Sequence, residues 1–228
     1  MLTETNQSKQ NLSQLPSIAR GQIGTHAVPL REANAATLRG FGRLVSDFAV
    51  ADVDIVAWPT AGRRPIVPGT GVGGGTVAGT FVFERRGALL LAENHAVKRR
   101  YVTGWFDDPA TASERDCDVD TTRIFTHEAN YHPDGGQIFF PREHTPFVAL
   151  LAPPGDDVQP KDFVAFSFDG SAGVHIAPGV WHQPVFPLVE RAVFDDRQGA
   201  VHACVSVDFI DEFGVFLEVP LRPADAAA

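Results

Sequence analysis

Asn130-Tyr131-His132-Pro133-Asp134-Gly135-Gly136-Gln137-Ile138-Phe139-Phe140-Pro141 and, further along, Gly173-Val174-His175-Ile176-Ala177-Pro178-Gly179-Val180-Trp181-His182-Gln183-Pro184 are the two stretches on which the fold turns. Each reads as a short strand, a glycine-containing turn and a second short strand. Side chains alternate between the faces of a strand, so Glu128, Asn130 and His132 share one face and Gln137 returns to it after the turn. His127-Glu128-Ala129-Asn130-Tyr131-His132 is one residue too long for the zinc-protease spacing HExxH. Rings five apart do not share a helix face, and the segment is strand-like.

Outward from these stretches the pattern stays β. Val53–Trp58, Gly79–Glu84, Ala88–Ala92, Arg100–Trp105, Arg123–Thr126, Phe147–Leu151, Phe163–Phe168, Val201–Ile210 and Val215–Val219 are β-branched or aromatic runs, most of them separated by Gly, Pro and Asp clusters. Many short strands with evenly spread turns predict an all-β sandwich or barrel. A helix is expected over 31–45, where Leu38, Phe41, Leu44 and Val45 recur at three- and four-residue spacing. Residues 1–24, rich in Asn, Gln and Ser, read as a loosely structured extension, leaving 25–228 as a single domain. Gly69-Thr70-Gly71-Val72-Gly73-Gly74 satisfies GxGxxG. A strand rather than a helix is expected to follow it, so a loop outweighs a dinucleotide site.

The 228-residue chain is 44% hydrophobic and 21% charged, an ordinary globular composition, with a formal net charge of −9. That charge repels phosphate backbones and anionic lipid, so nucleic acid and membranes are not expected as partners. Cys117 and Cys204 make no CxxC pair, and Cys204 reads as a small core residue. No apolar run is long enough to span a bilayer, and the N-terminus lacks the basic and apolar regions of a signal peptide, so the cytoplasm is expected.

The two opening stretches resemble the paired motifs of the cupin superfamily. Within it, the chain is similar to the ureidoglycolate lyase family, also called ureidoglycolate hydrolase. The resemblance rests on Phe41-Gly42-Arg43-Leu44-Val45, His132-Pro133 with Gln137–Pro141, the run Phe147–Leu151 continuing to Gly155-Asp156-Asp157, and Gly173 with Ala177–Pro184. It implies a jelly-roll barrel, a homodimer, and cleavage of ureidoglycolate to glyoxylate and urea in allantoin degradation, a branch of purine metabolism. Asn130 stands where the family usually has an acid, and His175 where it usually has Asn.

His132, His182 and Gln137 are the catalytic candidates: two imidazoles to move protons and an amide to polarise oxygen. Asn130, Glu128, His175 and Trp181 are the substrate-binding candidates, Trp181 being more often a wall residue. Arg85, Arg86, Arg99 and Arg100 read as rim charges, one of which holds a substrate carboxylate. A metal is not favoured, because Asn130, His132, Gln137 and His182 supply no carboxylate; if one is bound, His132, Gln137 and His182 are its ligands. No cofactor is therefore expected. Two other readings stay open: a non-catalytic cupin that binds a small acid or sugar, and a metal-dependent oxygenase or isomerase.

Overall fold

A computed structural model describes residues 23–58, 62–71, 75–109, 111–115, 117–200 and 203–223. Its strands in chain order are β1 (Gly24–Ala27), β2 (Leu30–Glu32), β3 (Gly42–Val45), β4 (Thr76–Arg86), β5 (Leu89–Asn94) and β6 (Arg99–Trp105). There follow β7 (Arg123–Thr126), β8 (Glu128–Tyr131), β9 (Gln137–Pro141), β10 (Phe147–Ala152), β11 (Val164–Phe168) and β12 (Gly173–Ile176). The last are β13 (Trp181–His182), β14 (Phe186–Pro187), β15 (Arg191–Gly199), β16 (Val205–Asp208) and β17 (Val215–Pro220). A single turn of helix, α1 (Phe209–Phe213), precedes β17.

The strands form two sheets. The larger runs β1-β17-β7-β6-β5-β4-β15-β9-β12-β3 and the smaller β16-β8-β13-β10-β11-β2, with β14 also paired to β10. One hydrophobic core joins them: Phe83, Phe139 and Phe194 of the larger sheet and Phe147 and Phe166 of the smaller are all essentially inaccessible. The Phe147 ring meets Phe194 edge-on at 5.2 Å, an arrangement favoured by the ring quadrupoles. β10, Phe-Val-Ala-Leu-Leu-Ala, is apolar at every position because both of its faces are buried. No helix among the described residues is long and apolar enough to cross a membrane.

The helix expected over 31–45 does not form. β2 and β3 occupy the ends of that stretch, and a hydrogen-bonded turn joins them. Asn34 Oδ1 accepts from the N–H groups of Ala36 and Thr37, which starts a helical turn. Gly40, at φ 88°, then reverses the chain. A side chain at Gly42 would place its Cβ 1.9 Å from the His175 carbonyl oxygen, so β3 reaches its partner β12 only with glycine there. Leu38 is fully buried, and the three- and four-residue spacing reflects one turn that plugs the core before a strand.

Val53–Trp58 is not a strand either, contributing a single bridge from Ile55 to Gly135. The expected strand Val201–Ile210 ends early: β16 stops at Asp208, whose Oδ1 accepts from the N–H groups of Ile210 and Asp211 and starts α1. Its first two residues, like residues 1–22 and the last part of the glycine cluster, lie outside the described residues. β4 does follow that cluster, as a strand.

Candidate functional site

Gln137 opens β9 in the larger sheet, while His132 follows β8 and His182 ends β13 in the smaller one. The Pro-Gly turn brings them together. Gly179, at φ 76°, donates its N–H to the His132 carbonyl at 3.1 Å, and Val180 donates to the Ala177 carbonyl at 3.2 Å. The turn thereby anchors the segment that carries His182 to the backbone of His132. His182 and Asn130 are direct cross-strand partners, so their side chains share a face.

The three side chains converge on one atom. Gln137 Oε1 lies 3.2 Å from His132 Nε2 and 3.1 Å from His182 Nε2, and the two rings are 5.1 Å apart. The Gln137 amide nitrogen donates to Asp196 Oδ1 at 2.8 Å, which turns the amide oxygen toward the rings. His132 Nδ1 donates to the Ala203 carbonyl at 2.9 Å and His182 Nδ1 to the Val180 carbonyl at 2.8 Å. His132, Gln137, His182 and Asp196 are all buried, so each contact acts with little screening by water.

The surroundings drive the two imidazoles apart. Burial works to keep His132 neutral, but the Cys204 sulfur at 3.6 Å, the Ala203 carbonyl and Asp134 outweigh it and lift the ring to about 9. Burial pushes His182 down to about 3, and the neighbouring His132 adds to the effect against the Val180 carbonyl. At neutral pH one ring is a cation with a proton on Nε2, and its neighbour offers an Nε2 lone pair. A pair of titratable groups separated in this way is equipped to act as acid and base. Burial raises the Asp196 carboxyl to about 7, against the Gln137 hydrogen bond and the His132 charge.

The other candidates fall elsewhere. His175 lies beside Ile138 in the ladder, one residue out of phase with the Ile176–Gln137 pair, so it projects from the opposite face of the sheet. It is packed under residues 52–56, where its Nε2 accepts from the Asp54 N–H at 3.3 Å and burial keeps it neutral. It is not part of the cluster. Trp181 faces away from His182, with Nε1 donating to the Gly155 carbonyl at 2.7 Å, Tyr131 against its ring edge-on at 4.7 Å and the Arg64 guanidinium over it. It is a wall residue that ties down the loop at Gly155. Glu128 is exposed and gathers with His127 and Asp208, their ligand atoms all within 4.8 Å of one another. Asn130 is half-buried on the His182 face.

Arg85 is paired with Glu190, and Arg86 with Glu84 and Glu114. Arg99 and Arg100 are exposed on β6, and no ion pair involves either among the described residues. Arg99 is the cross-strand partner of Asn94 and, two residues before Tyr101, shares its face. Burial, opposed by Arg99 and assisted by Cys204 and Asp196, pushes the Tyr101 hydroxyl up to about 12.

Sequence reasoning missed Asp196, Gln198 and the placement of Cys204 beside His132. Asp196 and Gln198 lie on β15, whose second half, Asp195-Asp196-Arg197-Gln198-Gly199, reads as a polar loop. The available signal was the period of two: Ala192, Phe194, Asp196 and Gln198 continue one inward face, and the structure buries all four. The carboxylate judged absent from the motif set is thus present, supplied by a strand outside the motifs.

A family model described as ureidoglycolate lyase matches residues 111–215. A ureidoglycolate lyase of Stutzerimonas stutzeri is 36% identical over 145 residues, covering 60% of this chain and 85% of that one. The ureidoglycolate lyase of Azotobacter vinelandii is 37% identical over 91 residues, 39% of this chain and 55% of that protein. One from Pseudomonas paraeruginosa is 36% identical over 89 residues, 38% of this chain and 53% of that protein. The chain thus spans about half the length of the Azotobacter and P. paraeruginosa relatives it matches. His132, Gln137, His182, Asp196 and Gln198 all lie within the stretch matched by the family model.

Proposed function

The chain belongs to the ureidoglycolate lyase family, and on that premise we propose that it cleaves ureidoglycolate to glyoxylate and urea. One observation carries the reading: two buried imidazoles, their environments driving one up and the other down, have both Nε2 atoms within 3.2 Å of one amide oxygen. Ureidoglycolate is a carbinol-urea, and its cleavage requires one proton removed and one delivered. His182 Nε2 takes the proton from the carbinol hydroxyl, whose oxygen electrons form the aldehyde C=O as the C–N bond breaks. His132 Nε2 gives its proton to the departing ureido nitrogen, and urea leaves. The Gln137 amide oxygen accepts from the His132 Nε2–H at 3.2 Å and so orients the proton that is delivered.

In this reading 25–228 is a single cupin-type jelly-roll domain, with the site between its sheets. Arg99, on the Tyr101 face and in no ion pair among the described residues, holds the substrate carboxylate, and Asn130 contributes a polar contact beside His182. No metal is required. The reaction is two proton transfers, and the two imidazoles and one amide oxygen that converge here form a weak dication site, with the Asp196 carboxyl turned to the amide nitrogen. Family resemblance supports a homodimer working in the cytoplasm on allantoin-derived ureides. The test is product analysis of chelator-treated protein given racemic ureidoglycolate. Equal release of glyoxylate and urea is expected. Release of ammonia in place of urea, or no turnover, would refute the lyase assignment.

A further inference from the structure

Gln198 has no role in the proton transfers, and its environment is unusual. Its side chain is 1% exposed, yet among the described residues neither its Nε2 nor its Oε1 has a hydrogen-bond partner. Burying an amide without partners costs stability, and native structures reserve such groups for positions where something else satisfies them. Gln198 is the direct cross-strand partner of Gln137, which places their side chains side by side on the inward face. On the same face of β15, two residues back, Asp196 spends Oδ1 on Gln137 and leaves Oδ2 buried without a partner among the described residues. One amide donor, one amide acceptor and one carboxyl oxygen are therefore unspent beside the imidazole pair.

We infer that the Gln198 amide, with the open Asp196 Oδ2 beside it, is the subsite that recognises the ureido end of the substrate. This rests on the lyase reading and adds to it the group that tells a ureide from a simple hydroxy acid. A ureido group presents a carbonyl oxygen next to N–H donors, the complement of a carboxamide's own N–H and C=O. Gln198 Nε2 donates to the ureido oxygen and Gln198 Oε1 accepts from the terminal NH2, with Asp196 Oδ2 as the neighbouring polar contact. Gln198 pairs across the strands with Gln137, whose Oε1 reaches both Nε2 atoms, so a ureido group held on β15 lies within one side chain of the imidazoles. A site built around buried polar groups discriminates strongly against ligands that leave those groups unpaired.

The test compares two stable ligands by calorimetry. Oxalurate carries a ureido group on an oxalyl carboxylate; oxalate lacks the ureido group. Wild-type protein is expected to bind oxalurate at least about tenfold more tightly than oxalate, and Gln198→Leu to abolish the difference by weakening oxalurate alone. Gln198→Leu removes two unpartnered polar atoms at nearly constant volume, so its Tm should hold or rise, which a structural glutamine would not allow. In turnover, KM for ureidoglycolate should rise by about tenfold with a smaller change in kcat. Equal binding of both ligands by wild type, or an oxalurate preference that survives in Gln198→Leu, overturns the inference even if the enzyme cleaves ureidoglycolate. A preference lost in the variant but without turnover in wild type leaves the subsite standing and removes the lyase reading. If Gln198→Leu and Gln198→Met both fail to fold, Gln198 is structural and the inference is wrong.

Discussion

β9 and β15 each run through two kinds of interior. At one end Phe139 and Phe194 face the smaller sheet among Phe81, Phe83 and Phe147, in edge-on and tilted ring contacts 5.2–5.4 Å between centroids. At the other end Gln137, Asp196 and Gln198 occupy the same inward face, joined by His132 and His182 from across the core. The backbone ladder is continuous from Arg191–Glu84 to Gly199–Thr76, so the change lies in side chains alone. The aromatic half buries apolar area and accounts for stability. The polar half holds amide and carboxyl atoms without partners among the described residues, a standing cost that a purely structural strand would have eliminated.

The largest effect that should separate the halves is on folding. Phe194→Ala removes a fully buried ring and is expected to cost about 3–5 kcal/mol, read as a lower denaturant midpoint. A loss under about 1 kcal/mol would mean that the aromatic half is not the stabilising one. Next comes the pH response of the polar half. His132 is raised in the folded state, so its contribution to stability is full below its ordinary value of 6.5 and is lost as pH rises through about 9. In the proposed mechanism its proton is the one delivered to the leaving nitrogen, so kcat/KM should fall above about pH 9. A rate that is flat to pH 10 would take the acid role away from His132. The smallest effect is expected at Asp196, whose raised carboxyl contributes fully below 3.8 and loses that contribution as pH rises through about 7. Asp196→Asn should therefore gain stability relative to wild type between pH 4 and pH 8; a relative loss across that range would contradict the neutral carboxyl.

Legibility in the sequence followed the same division. The strands of the aromatic half announce themselves through β-branched and aromatic alternation, as at Phe147–Leu151 and Gly79–Glu84, and they lie where expected. His132, Gln137 and His182 were legible because the Pro-Gly turn and the strand period placed them on a common face. Asp196 and Gln198 were not, since β15 interrupts its apolar period there with polar residues, and Asp195-Asp196-Arg197 imitates a surface loop. His175 was misplaced by one residue of register, which is all a strand needs to turn a side chain to the other face. The helix over 31–45 failed because local spacing cannot foresee Gly42 lying against the His175 carbonyl, a contact set by tertiary pairing.

The division of labour between the halves is tested most directly at His182, a fully enclosed ring that the account treats as the base. The measurement is kcat for glyoxylate release by His182→Ala, taken with its unfolding midpoint on the same preparation. Loss of the base should lower kcat by about 10²-fold or more, while the midpoint stays close to that of wild type, because the ring packs against polar neighbours rather than the aromatic core. Turnover near the wild-type level by folded His182→Ala would contradict the account.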